Sequence, residues 1–229
     1  MYWLDSSIIY LIPAMLFAMY AQAKVSSAYS QYAKVRNRKG ITGAQAARIL
    51  LDQNGLSDVQ IEMVQGRLSD HYDPRKRVMR LSPAVYNEAS IASVSIAAHE
   101  TGHAIQHGHG YVPLSIRNTI APAVSLVSNL AWPLLLIGLF MGNSPQGSLL
   151  FNLGIIFFCG AVVFQAITLP VEFNASHRAI VQMQEKNIVY PEETGGAKKV
   201  LSAAALTYVA ALAVSVANLL RILAIRGRD

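Results

Sequence analysis

His99-Glu100-Thr101-Gly102-His103 is an H-E-x-x-H pattern inside the stretch Ser90 to His107. On a helix, residues four apart stack on one face, so His99 and His103 can aim both imidazoles at one metal ion. Glu100 lies about 100° round the helix from His99 and flanks the metal without ligating it. That is the place for a general base acting on a water that the metal activates. The competing reading is a chance match on a buried helix with two satisfied histidines.

The pattern needs a helix, and the neighbouring residues supply one. Ser90 is a candidate N-cap, Ile91, Val94, Ile96, Ala97 and Ala98 are an apolar lead-in, and Gly108 and Gly110 can end the helix. Gly102 inside it costs about 1 kcal/mol against alanine, which calls for a reason such as close approach of another backbone. Zinc on such a helix wants a third protein ligand, commonly a glutamate from another helix. Glu172, in the run Pro170 to Ala179, is the first acidic residue after Glu100.

Whether Glu172 can reach the site depends on what lies between. Residues 119–141 and 149–169 carry no charge and are long enough to cross a bilayer. The turn-forming linker Gly142 to Ser148 makes them a transmembrane hairpin. Two crossings return the chain to the side it left, so Glu172 and His103 share a membrane face. Two histidines compete with it. His107 is eight residues beyond His99, about 12 Å along a helix axis, too far for one zinc with bonds near 2.1 Å. His109 has the spacing of H-E-x-x-H-x-x-G-x-x-H proteases, but Gln106 stands where those need glycine.

The composition is that of a membrane protein: 53% of residues are hydrophobic and 14% charged, against about 25% charged in soluble domains. The net charge of +6 fits cytoplasmic loops beside a bilayer, and no stacked aromatic and basic motif suggests nucleic acid. The single Cys159 excludes an internal disulfide and a cysteine metal cluster. Residues 7–23 form a first span. Only Asp5 precedes it and Lys24, Lys34, Arg36, Arg38 and Lys39 follow, the charge order of an uncleaved anchor with its N-terminus outside. Val200 to Leu220 is a fourth apolar segment, which crosses or packs within the bundle. Arg221, Arg226 and Arg228 after it run against the positive-inside tendency.

Between the first span and the metal-binding pattern, Thr42 with Gln45 signals a capping box, with a helix to about Gln53 ended by Asn54-Gly55. Val59 to Val64 and Val78 to Leu81 read as short strands, a hairpin whose His71-Tyr72-Asp73-Pro74 is turn chemistry. An edge strand there can pair with an extended peptide. The expected fold is mainly α, an integral-membrane helical bundle with a zinc helix and a small β-hairpin or sheet beside it. The expected regions are an anchor over 1–23, a cytoplasmic catalytic region over 24–118, the hairpin over 119–169, a third-ligand helix and loop over 170–199, and a C-terminal apolar helix over 200–229.

The segments HYDPRKRVMRLSPAVYN, AAHETGHAIQH, LPVEFNASHRA and VLSAAALTYVAAL, in that order, resemble the bacterial membrane-embedded neutral zinc metallopeptidases of the YugP type. The likeness covers nearly the whole chain. It implies a gluzincin-type peptidase of the bacterial inner membrane, with one zinc per chain on His99, His103 and Glu172 and with Glu100 as base. The chain resembles more distantly the membrane proteases of the HtpX type. Those carry an aspartate, four residues after the ligand glutamate, that orients a zinc histidine; here Ser176 occupies that place, and Asn174 is the alternative. A tetrahedral oxyanion needs a donor besides the metal, and His177, Arg178, Tyr86 and Tyr208 are the candidates. Arg178 is equally a structural ion-pair partner. The expected partners are the bilayer and a peptide or membrane-protein substrate. A non-catalytic scaffold with a structural zinc site would want four protein ligands, and a transporter would want ionisable residues within its spans.

Overall fold

The computed structural model describes residues 6–142 and 144–227. A short 3-10 turn, Ser6–Tyr10, leads into α1, Leu11–Tyr32; α2 is Gly43–Gln53, α3 Pro83–Asn87, α4 Ile91–Gly108, α5 Val112–Phe140, α6 Pro145–Glu185 and α7 Thr194–Arg226. Three short strands, β1 Gln60–Met63, β2 His71–Asp73 and β3 Val78–Leu81, form one sheet. The fold is mainly α with a small sheet. Four helices, Ser7–Tyr32, Val112–Phe140, Pro145–Glu185 and Thr194–Arg226, are long and apolar enough to cross a membrane.

The chain forms two compact units. One comprises the described residues of Met1–Ala21, Ile116–Leu169 and Thr207–Asp229; the other comprises Gln22–Ser115 and Pro170–Leu206. In the first, Leu135, Phe151 and Ile222 pack together, and Leu11, Ala14 and Ala217 form a second small cluster. A Cβ at Gly154 would lie 2.9 Å from the Leu135 backbone nitrogen. Small residues at such points let apolar helices pack closely where water gives no hydrophobic drive. Many large apolar side chains there stay exposed, among them Leu126, Ile137, Leu149 and Ile156, as expected of a surface solvated by lipid.

The second unit is built around α4. The Ser90 hydroxyl accepts from the Ser93 N–H and caps its start, and the helix ends at His109. One side of α4 presents Ile91, Val94 and Ala98 to Ala46, Leu50, Ala179, Met183 and Leu201. Another presents Ala97, Ala104 and Ile105 to Ala47, Leu51, Met79, Leu81 and Val85. The α2 helix contributes to both clusters through the adjacent pairs Ala46 and Ala47, Leu50 and Leu51. Its capping box is formed: Thr42 Oγ1 accepts from Gln45 N–H, and Gln45 Oε1 accepts from Thr42 N–H.

The sheet corrects the expected hairpin. Its order is β1-β3-β2, with β1 parallel to β3 and β2 antiparallel to it. The tight turn lies after His71-Tyr72-Asp73, and those residues are themselves a strand. Asp73 Oδ1 accepts from the Arg75 and Lys76 N–H groups, and Arg77 takes the left-handed φ of 51° that closes the turn. A three-residue strand is too short to display its period, so its turn-forming neighbours dominate the pattern. Arg80 on the central strand ties the edges together, with Nε on Glu62 of β1 at 3.1 Å and an ion pair to Asp73 of β2 at 3.5 Å.

Gly102 has the reason its cost demanded. A Cβ there would lie 2.5 Å from the Ala175 carbonyl oxygen and 3.1 Å from its Cα. The backbones of α4 and α6 touch at this point, and no side chain can stand between them. Gly102→Ala is expected to lower thermal stability by the equivalent of about 1–3 kcal/mol, the range for overpacking, despite alanine's better helix propensity. Gly195→Ala, where nothing lies within 4 Å, is the control and should leave the melting temperature unchanged or slightly raised.

Candidate metal centre

The contact at Gly102 brings one face of α6 against the histidines of α4. Glu172 Oε2 lies 3.3 Å from His99 Nε2 and 3.5 Å from His103 Nε2. The donor atoms of the three residues all fall within 4.8 Å of one another. The two imidazoles stand edge to face, with ring centroids 4.8 Å apart. Their side chains are 13% and 12% exposed and that of Glu172 is 3% exposed, so the cluster is largely shielded from solvent.

The donor set fits zinc. Four ligands at about 2.1 Å in a tetrahedron stand about 3.4 Å from one another, which is the spacing of the Glu172 oxygen to each histidine nitrogen. Imidazole with carboxylate is also a donor chemistry that suits zinc. Among the described residues the group has three donors, one short of the four that close a structural site.

Both histidines are held from behind. Ser176 Oγ lies 3.1 Å from His99 Nδ1. The position where HtpX-type proteases carry aspartate therefore keeps the contact with a neutral hydroxyl. His103 Nδ1 lies 3.0 Å from Gln106 Oε1, and Gln106 Nε2 donates to the Val171 carbonyl at 2.8 Å and to Asn174 Oδ1 at 3.0 Å. Such partners fix ring orientation and tautomer at metal sites. Gln106 figured in the sequence only as a missing glycine. Its signal was an amide three residues after His103, on the same helix face.

Glu100 is buried on α4. Burial pushes its carboxyl up from 4.5 to about 7; His99 opposes the rise, the Glu172 and Asp70 carboxylates add to it, and the Tyr72 backbone N–H draws it down. The other sequence candidates are dispersed. His107 Nδ1 meets the Tyr72 hydroxyl at 2.9 Å, and His109 is the exposed C-cap of α4. His71 is exposed on β2 with Nδ1 2.8 Å from the Ser69 carbonyl. His177 is exposed on α6. Arg178 Nε donates to Asn174 Oδ1 at 2.8 Å, and its guanidinium lies 6.0 Å from the Tyr111 ring centroid. Tyr86 is partly buried against the cluster that contains Ala97 and Ala104, and Tyr208 belongs to the other unit.

Four helices apolar enough to cross a membrane, with two helix-borne histidines meeting a glutamate, are the features expected of a membrane zinc peptidase. The model of the family described as "Putative neutral zinc metallopeptidase" matches residues 7–227, and the chain belongs to that family. It is 51% identical over 221 residues to the "Putative membrane protease YugP" of Bacillus subtilis (strain 168), covering 95% of this chain and 96% of that protein. No solved structure matches the chain.

Two outcomes follow, one for the metal-free protein and one for zinc binding. Folded Glu100 holds a proton up to about pH 7 that an unfolded carboxyl releases near 4.5, so the folded state binds more protons between those values. Its contribution to stability is full below about 4.5 and is lost as the pH rises through about 7. Melting temperatures of chelator-treated protein should fall across that window, and Glu100→Gln should remove that part of the slope. Ser176→Ala, which deletes the partner of His99, should weaken zinc binding by about tenfold or more, read by chelator competition.

Proposed function

We propose that this chain is a membrane-embedded endopeptidase that hydrolyses peptide bonds at one zinc per chain, held by His99, His103 and Glu172. The observation that carries the reading is the convergence of those three donor groups, with spacings of 3.3 and 3.5 Å, beside the buried carboxyl of Glu100. Membership of a zinc metallopeptidase family supports it.

When bound, zinc supplies Lewis acidity, polarising a carbonyl and lowering the pKa of a water. The protein's own groups do the rest. Glu100 takes a proton from the attacking water as its oxygen bonds to the carbonyl carbon. Glu100 then delivers that proton to the amide nitrogen as the C–N bond breaks. A carboxyl lifted towards 7 by burial is suited to both tasks. Ser176 and Gln106 keep the two imidazoles in place while this happens. Oxyanion donors are sought among His177, Arg178 and Tyr86; the exposed His177 has the freedom to swing toward a substrate, whereas Arg178 is engaged with Asn174.

The substrate is an extended peptide or a membrane-protein segment, and the bilayer is the obligatory surrounding. The basic run Lys24, Lys34, Arg36, Arg38 and Lys39 after the first apolar helix supports an active site on the cytoplasmic side of the bacterial inner membrane.

Metal analysis of purified protein should give one zinc per chain. Glu172→Ala should lose it. Glu100→Gln should keep it while casein hydrolysis falls by about 10²- to 10⁴-fold, the usual share of general acid-base catalysis. Full zinc retention in Glu172→Ala would sink the ligand assignment, and unimpaired hydrolysis by Glu100→Gln would sink the base.

A further inference from the structure

Gln106 is a fully buried amide on α4 that neither ligates the metal nor moves the proton in the proposed reaction. A buried amide is costly unless its hydrogen bonds are made, and here they are made in one sense only. Arg178 Nε carries a hydrogen and no acceptor lone pair, so the Asn174 atom 2.8 Å from it is the carbonyl oxygen. The same oxygen lies 3.0 Å from Gln106, so the Gln106 atom facing it is the amide nitrogen. The Val171 backbone carbonyl, 2.8 Å from that nitrogen, can only accept and requires the same assignment independently. The atom left over, Gln106 Oε1, can only accept, and it lies 3.0 Å from His103 Nδ1. That nitrogen must carry the proton.

A neutral imidazole protonated at Nδ1 has its lone pair on Nε2, the atom 3.5 Å from Glu172 Oε2. We infer that Gln106, oriented by the Val171 carbonyl and by Asn174 under Arg178, is a positioning residue that locks His103 in the Nδ1–H tautomer and so presents Nε2 to the metal. The opposite tautomer would set a lone pair against Gln106 Oε1 and place a hydrogen where the metal must bind. His99 is under no such compulsion, because the Ser176 hydroxyl at its Nδ1 can donate or accept. The two ligand histidines are therefore unlike: one is dictated by a buried network and the other is adjustable. Arg178 serves here through Asn174.

The inference rests on the zinc reading, but its first readout needs no zinc. Full-length protein labelled with 15N-histidine and stripped with chelator gives the tautomer of each ring from nitrogen shifts and two-bond couplings, with His103→Gln identifying the signal. Wild-type His103 should be Nδ1–H, and Gln106→Leu should show a tautomer mixture. Zinc affinity by chelator competition should weaken about 10- to 100-fold in Gln106→Leu, while the conservative Asn174→Asp, which keeps an acceptor towards both Arg178 and Gln106, should stay within about threefold. A wild-type Nε2–H signal for His103 would overturn the inference. So would a Gln106→Leu protein with a lower melting temperature but unchanged zinc affinity, the result for an amide that only stabilises the fold. If Gln106→Leu does not fold, the wild-type tautomer and the contrast of Asn174→Asp with Asn174→Leu decide the matter. A wild type that binds no zinc would sink the metal reading and leave the tautomer measurable.

Discussion

Two helix backbones in contact, at Gly102 on α4 and Ala175 on α6, set the geometry on which the rest depends. The contact fixes how far apart the helices stand and how α6 is rotated. Ala175 follows Glu172 by three residues, so the same turn of α6 that touches glycine also carries the carboxylate and Ser176 towards the histidines. One turn further on, the same stripe is Ala179 and then Met183, both in the apolar core. A single face of one helix thus changes from carboxylate to filler without changing direction. The closeness that lets Glu172 reach two imidazoles leaves no room for even a methyl group on the partner helix.

Helix α4 can hold charged and polar groups because both its flanks are packed. Ile91, Val94 and Ala98 are covered on one side, and Ala97, Ala104 and Ile105 on the other. The small residues keep neighbouring elements near, and the dry surroundings raise the Glu100 carboxyl. Polar groups that stay in such a place are there with partners: Gln106 makes three contacts, and Thr101 returns its hydroxyl to the Ala97 carbonyl.

Much of this was legible before any coordinates. Helical period and cap residues gave α2 and α4, because a capping box and a Ser N-cap are local interactions. Long uncharged runs marked helices that are long and apolar enough to cross a membrane. The demand of Gly102 for a close backbone was readable because glycine in a helix has a known cost. What failed was non-local. The parallel pairing of β1 with β3 is decided by which strand reaches the central one, and no residue in either strand records that. The strand at His71 to Asp73 is hidden by the turn beside it. The Ser176 and Gln106 contacts depend on the rotation of α6 against α4, which spacing along one helix does not encode. Glu172 was reachable as the first acidic residue after Glu100, beyond two apolar runs, and its carboxylate does lie 3.3 Å from His99.

The neutral partners behind the histidines have an electrical consequence. An aspartate behind a ligand imidazole pushes electron density through the ring and cancels part of the ion's charge. A serine hydroxyl and a glutamine amide push less and cancel none of the charge. With Glu172 as the one anionic ligand of the proposed set, a bound dication keeps a full unit of positive charge uncancelled by the residues that hold it. Such an ion would be gripped less tightly and would pull harder on an oxygen brought to it. On the proposed ligand set, the centre would trade retention of its metal for electrophilic strength.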